Sequence, residues 1–375
     1  MPFFRRLTQA FVLLAIVQAG PANGQSTRIT GQITDAESGT PLPGAHVFIA
    51  SSQRGTISDE NGRYALEAIV PGAHRLYISM LGYEPVAVDT LFRARAYQFD
   101  FALQPKILEV GEVTVTAEGD PDWARQLERF IRLFIGESPN SLEVDIVNPE
   151  VLDFTDKLGR FSARASEPLI IENRALGYRI QYFLNDFQAT AGRTQYDGEP
   201  LFSELEPQNE ADIERWGRKR QEAFMGSFRH LLLALLAERS ERQGFKLYSR
   251  PSISVTGTTP GGRTQQLQSQ QRFPIENPSS LFTPGETRDE HILDFTGFVE
   301  IVYMGETESE AYLNWQRRGR RAKPKFQTSW INLENGPTVF DYKGDVVDPY
   351  GVTFYGYLAF ERVADQVPKE YRPGR

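Results

Sequence analysis

Cysteine is absent from all 375 residues. No disulfide framework, thiolate zinc site, catalytic thiol or lipidated cysteine anchor is therefore open to this chain. Histidine is scarce: His46, His74, His230 and His291 stand far apart, so a multi-histidine metal site would have to be gathered from distant segments. Beyond the N-terminus no long apolar run occurs. The best, Leu231 to Ala237, falls well short of the roughly 18 residues that a spanning helix needs. Basic residues are outnumbered, 41 against 49 acidic, and the net charge of −8 argues against a general nucleic-acid binder. GxSxG, HExxH and complete EF-hand patterns are also missing. The sequence reads as non-enzymatic, with no catalytic residue, metal or cofactor indicated.

What is present is ordinary globular material, 40% hydrophobic and 24% charged, which excludes a disordered or low-complexity chain. The length suggests two domains or three. Arg5 and Arg6, the apolar stretch Ala10–Ala19 and the small-x-small site Ala22-Asn23-Gly24 form a signal-peptide pattern. Residues 1–24 are expected to be removed by cleavage between Gly24 and Gln25. The mature chain then carries no transmembrane helix and is exported, either free or peripherally held at a membrane. Lack of cysteine favours a bacterial envelope.

Residues 27 to about 106 alternate in short runs between turn residues. Arg28–Thr34, Ala45–Ile49, Gly55–Ser58, Arg63–Leu66, His74–Ser79 and Gln98–Leu103 read as strands, with Asp59-Glu60-Asn61-Gly62 as a tight turn. This spacing predicts an antiparallel all-β sandwich able to fold by itself. The ordered series GQITD, GTPLPGAHVFI, RGTISDENGRYAL and PGAHRLYISMLGY resembles the carboxypeptidase regulatory-like domain across residues 27–104. That resemblance implies a seven-stranded transthyretin (prealbumin)-like sandwich, grouped with carbohydrate-binding-like folds and acting as a non-catalytic accessory module. Such domains often precede outer-membrane nutrient receptors of Gram-negative cells. The resemblance therefore implies the periplasm or the outer-membrane surface.

Residues 105–120 read as a linker with one alternating run. Glu112, Val113, Thr114, Val115 and Thr116 resemble the stretch with which such receptors engage the energy transducer TonB by strand addition. An interdomain edge strand is the plainer reading.

Residues 121–375 read as an α+β domain. Trp123, Leu127, Phe130, Ile131 and Phe134 share one helical face, and Asn209–Arg242 reads as a long helix that Gly226-Ser227 interrupts or bends. Phe161–Ala165, Leu169–Phe187, Lys246–Ser249, Ser252–Thr256, Gly297–Met304, Gln327–Leu333 and Val352–Phe360 read as strands. The runs WARQLERFIRLFIGESPN and GYLAFERVADQVPKEYRP, among others, resemble an envelope family that joins a regulatory-like domain to a C-terminal region with no established chemistry.

Several motifs imitate chemistry. Gly257–Thr264 approaches a phosphate loop, but Arg263 stands where lysine is required and no amphipathic helix follows. Arg317–Lys325 holds six cations and reads as a solvated loop, or as a grip for an anionic surface. Asp341 and Asp345 flank a hairpin turn rather than forming a glycosidase pair or calcium site. Tyr355 and Tyr357, on one face of the expected strand, are the candidate contacts for a glycan or envelope-protein partner. The sequence thus reads as an exported envelope binding or interaction module. A hydrolase with dispersed Asp, Glu and Ser in the C-terminal domain, or an accessory of TonB-dependent uptake, are the alternatives.

Overall fold

The computed structural model describes residues 27–106, 121–251, 271–317 and 323–374. The cleavage site Gly24–Gln25, the segment Glu112–Thr116, the expected strand Ser252–Thr256 and the glycine-rich 257–264 lie outside the described residues.

The first eight strands are β1 (Thr27–Asp35), β2 (His46–Ile49), β3 (Gly55–Ile57), β4 (Arg63–Ile69), β5 (Gly72–Ser79), β6 (Val86–Phe92), β7 (Ala96–Gln98) and β8 (Phe101–Leu103). Alternation puts Ile29 and Ile33 of β1, Tyr64 and Leu66 of β4 and Leu76 and Ile78 of β5 inside, where they form one core with Phe92 and Leu103. Two sheets close over that core, β4-β1-β7 with β8 also on β1, and β3-β2-β5-β6. The sandwich is not wholly antiparallel, because β7 and β8 run parallel to β1. They act as one closing strand broken at Phe99–Asp100, where Asp100 Oδ1 accepts the Gln32 N–H at 2.8 Å. The turn after β3 is the expected one, with Asp59 Oδ1 accepting from the backbone N–H groups of Asn61 and Arg63.

Beyond the sandwich come α1 (Pro121–Phe134), β9 (Val144–Ile146), β10 (Leu152–Lys157), β11 (Arg160–Ala165), β12 (Leu169–Asn173), β13 (Tyr178–Ala189) and β14 (Thr194–Glu204). Their sheet runs β10-β11-β13-β12-β9, with β14 paired to β13. The apolar face of α1 lies on it, with Phe130 and Phe134 packed among Tyr182, Phe187 and Tyr196. Next are α2 (Glu210–Phe224), α3 (Phe228–Leu236), β15 (Phe245–Arg250), β16 (Phe273–Pro274), β17 (Phe282–Pro284), β18 (Glu290–Leu293), β19 (Phe298–Thr307), α4 (Glu310–Trp315), β20 (Phe326–Asn332), β21 (Thr338–Asp341), β22 (Thr353–Gly356) and α5 (Tyr357–Phe360). A five-stranded sheet, β16-β15-β19-β20-β22, and a small β17-β18-β21 sheet enclose a second core with α3. The chain is therefore mostly β-sheet, a sandwich followed by an α+β part with few helices.

Three local expectations change. The long helix is two, because Gly226 at φ +81 ends the first and Ser227 caps the second by accepting the His230 N–H. Helix α4, absent from the sequence reading, starts where Ser309 caps the Tyr312 N–H. The final strand stops at Gly356, whose φ of +73 turns the chain into α5, so Tyr355 and Tyr357 do not share a strand face. The Asp341–Asp345 turn is a hairpin: Asp341 Oδ1 accepts from the N–H groups of Lys343 and Asp345.

The sandwich docks on the six-stranded sheet. Phe48 stacks on Phe183 at 4.7 Å, Tyr77 closes the cluster, and Ser52 bridges to Leu201 in parallel register. Polar groups line the same boundary. Arg75 contacts Asp89 at 2.9 Å and Glu199 at 3.1 Å. Lys343 Nζ lies 3.2 Å from His74 Nδ1, and the other ring nitrogen of His74 donates to Val70 O at 2.7 Å.

Burial pushes the Glu199 carboxyl up to about 7 against the pull of Arg75. Its folded state takes up a proton before the unfolded chain does. Its contribution to stability therefore grows as pH falls from 7 towards 4.5, by up to about 1.4 kcal/mol per unit. His74 acts oppositely: burial, then the charges of Lys343 and Lys369, hold it down to about 3. Its neutral ring contributes stability above pH 6.5 that is lost as pH falls towards 3. Glu199→Gln removes the first effect and leaves the second. The variant is expected to lose stability more steeply below pH 6.5 than the parent. Urea midpoints at about pH 8, 6.5 and 5 check this, and parallel curves would refute it.

Candidate functional site

A cavity of about 520 Å³ opens between the two cores of the C-terminal part. Strands β13 and β14 supply Tyr182, Tyr196 and Asp197, and the turn between them supplies Arg193. The N-terminal turn of α3 supplies Phe228 and Arg229, the loop before β22 supplies Asp345 and Tyr350, and β22 supplies Phe354 and Tyr355. Glu361, Arg362 and Asp365, from the chain end after α5, form the floor. Glu361 and Asp365 also line a second cavity of about 560 Å³, which Lys219, Glu306 and Tyr357 help to enclose.

The floor has a distinctive proton balance. Asp365 Oδ1 accepts from Ser138 Oγ and Asn140 Nδ2, each at 2.9 Å, while Oδ2 accepts the Arg362 N–H at 3.4 Å. Burial still outweighs these bonds and pushes Asp365 up to about 6. Glu361 is driven well above the usual carboxylate range by burial, then by the charges of Asp365 and Glu306. The shift favours the neutral, proton-donating form of Glu361 beside the Asp365 acceptor. Burial lowers Arg362, which the Tyr196 hydroxyl and the Glu137 carboxylate help to keep charged. At the rim, Arg193 bonds Glu334 and reaches Thr353 Oγ1 at 3.2 Å, and Tyr350 donates to Asp186 at 3.0 Å.

Of the two tyrosines singled out from sequence, Tyr355 is half-buried at the cavity lining. Tyr357 is buried in an aromatic cluster with Tyr312, Trp315 and Phe360, and its exposed edge meets the second cavity. Within the basic cluster, Arg317, Lys323 and Lys325 are exposed; residues 318–322 lie outside the described residues. His230 sits between Phe224 and Phe245 and accepts the Gly226 N–H, a structural histidine. Among the described residues, no group of three or more His, Asp or Glu is placed to hold a metal ion. Sequence reading passed over Arg193, Glu361, Arg362 and Asp365, which no motif links. Only folding brings the β13–β14 hairpin to the chain end.

Residues 29–115 match the CarboxypepD_reg-like domain family, so the N-terminal sandwich is a regulatory-like domain, a non-catalytic class. A TonB-dependent receptor of Formosa agariphila is 31% identical over 113 residues, covering 30% of this chain and 10% of the receptor. The chain thus spans about a tenth of that relative's length. Among solved structures, catechol 1,2-dioxygenase from Acinetobacter sp. ADP1 is similar at 16% identity and a TM-score of 0.20, over 24% of this chain and 55% of that one. A putative carbohydrate binding protein from Bacteroides uniformis is similar at 11% identity and a TM-score of 0.19, over 42% and 60%. Nothing below rests on these two likenesses. No helix among the described residues is long and apolar enough to cross a membrane.

Proposed function

We propose that the protein is an exported binding module of a Gram-negative envelope that seats a glycan segment in the cavity between its two C-terminal cores. The regulatory-like sandwich serves as the docked support of that site. The carrying observation is the composition of the cavity: tyrosine rings at its walls, with two carboxyls of raised pKa, one of them hydrogen-bonded by Ser138 and Asn140, and guanidinium groups at its floor and rim. Sugars present apolar ring faces and hydroxyls that both donate and accept, and such a lining meets both. The similarity of the N-terminal part to a TonB-dependent receptor supports an uptake-associated setting.

The hydrolase reading has one observation on its side, two carboxyls with raised pKa on a shared cavity wall. One experiment separates the readings. A panel of neutral oligosaccharides is titrated into the mature chain and into Tyr355→Ala, with products followed by chromatography. Binding weakened about tenfold or more in Tyr355→Ala, at an almost unchanged melting temperature and with intact sugar, supports the module. Cleaved sugar supports the hydrolase. Tyr357→Ala, by contrast, is expected to lower stability by about 3 kcal/mol, because it empties a packed aromatic cluster.

A further inference from the structure

The five-stranded sheet has two unlike faces. Phe245, Leu247, Val299, Ile301, Tyr303 and Ile331 point into the second core. Pairing register then puts the alternate residues on the opposite face. One row across the strands is Tyr248, Glu300, Trp330 and Tyr355; a neighbouring row is Arg250, Phe298, Asn332 and Thr353; the next begins with Lys246. The four aromatic rings are half-buried, and Lys246 and Arg272 are exposed.

Glu300 organises this face. It is buried, and its carboxylate takes Arg250, Arg272 at 2.8 Å and the Trp330 indole N–H at 3.1 Å. Arg272 also lies over the Tyr248 ring at 4.2 Å. The rings and guanidinium groups are thereby fixed in place before any ligand arrives. Glu300 pairs with Arg250 and Arg272, Lys246 is exposed on the same face, and at the Tyr355 end Glu334 is paired with Arg193, so among the described residues cations outnumber carboxylates here on a chain whose net charge is −8.

We infer that this outer face is a second binding platform, distinct from the cavity, for an anionic glycan chain. The positive balance selects an anionic partner, and the aromatic row selects one with flat, partly apolar faces. Tyr248 and Trp330 stand two strands apart, about 10 Å, a spacing that lets successive sugar rings rest along the row. A peptide fits less well: the backbone groups of β19 and β20 are already paired within the sheet, so strand addition is confined to its edges, away from the centre of the aromatic row. Tyr355, on the edge strand, belongs both to this row and to the cavity lining.

The test uses the mature full chain and Lys246→Glu, Arg272→Ala and the double variant. Each is titrated with a polyuronate, a sulfated dextran, neutral dextran and poly-glutamate. Lys246 is at the surface, so the melting temperature of Lys246→Glu is expected to stay nearly constant, whereas Arg272→Ala also removes one partner of buried Glu300 and is expected to melt lower, with Arg250 and the Trp330 indole still holding that carboxylate. The parent is expected to bind the polyuronate, the sulfated dextran or both, and the relative strength of those two arms tells carboxylate from sulfate recognition. Each single variant should weaken that binding by about tenfold and the double variant further, while any binding of neutral dextran, which belongs to the cavity, stays unchanged. Failure of the parent to bind either anionic glycan would overturn the inference. So would equal affinity for poly-glutamate, or unchanged affinity for the anionic glycans in the double variant. Because the cavity was assigned neutral sugars, its failure and the failure of this platform register in different arms.

Discussion

Phe183→Ala is expected to cost about 3–5 kcal/mol and to release the sandwich from the sheet beneath it. Phe183 is 5% exposed and belongs to a small cluster with Phe48, Tyr77 and Leu201 that belongs to neither large core. Truncation removes the ring that stacks on Phe48 and leaves a void no neighbour on two facing sheets can fill. Around that cluster stand Arg75, Glu199 and the Tyr77 hydroxyl, which donates to Asn185 at 2.8 Å. Water admitted there competes with every one of those bonds. Urea unfolding followed by circular dichroism and by limited proteolysis should turn one cooperative transition into two. A single transition displaced by less than about 1 kcal/mol would show that the docking relies on other contacts.

Arg229→Leu is expected to be comparably damaging, by about 3 kcal/mol or more, for a different reason. The Arg229 guanidinium gathers four backbone carbonyls, those of Lys343, Pro368, Lys369 and Tyr371. Burial brings its pKa down to about 10, which still leaves it charged at neutral pH. Leucine keeps part of the bulk and strands those carbonyls without a donor. The chain end they belong to also places Val363 and Ala364 in the first large core, accepts the Asn173 amide at Ala364 O and donates from Lys369 N to Ser51 O at 2.8 Å. Loss of Arg229 should therefore loosen the floor of the cavity as well as the protein. Hydrogen exchange of residues 362–371 is the direct measure, and unchanged protection there would contradict this role.

Much of the sandwich was legible because it is built from local signals. Period-two alternation in β1, β4 and β5 and the Asp59–Gly62 turn each depend on a few neighbouring residues. Two features were misread: β6, which the sequence reading passed over, and the parallel closing strand, which depends on where the chain returns rather than on what β7 and β8 contain. In the C-terminal part, the break at Gly226-Ser227 was visible for the same local reason. Helix α4 was not, because six residues are too few to show a period. The Tyr355–Tyr357 pairing failed on a single backbone angle at Gly356, since glycine in an aromatic run fits a strand and a sharp turn equally well. The cavity floor was beyond reach. Glu361, Arg362 and Asp365 resemble any charged C-terminal segment until the fold sets them opposite Arg193 and Tyr196.

The bond between Lys369 and Ser51 also bears on when this protein becomes complete. It ties almost the last described residue to a turn of the first domain, and Arg229 holds the same stretch from the middle of the chain. Contacts of such long sequence separation form late, after the costly loops between them have closed. A chain emerging N-terminus first can build its sandwich at once, yet the seat for that sandwich is finished only when residues 362–371 have arrived. Phe48 and Tyr77 are covered earlier, once Phe183 and Leu201 have folded against them. The segment around Lys369 thus adds the last tie between sandwich and sheet, after the aromatic contact is already made.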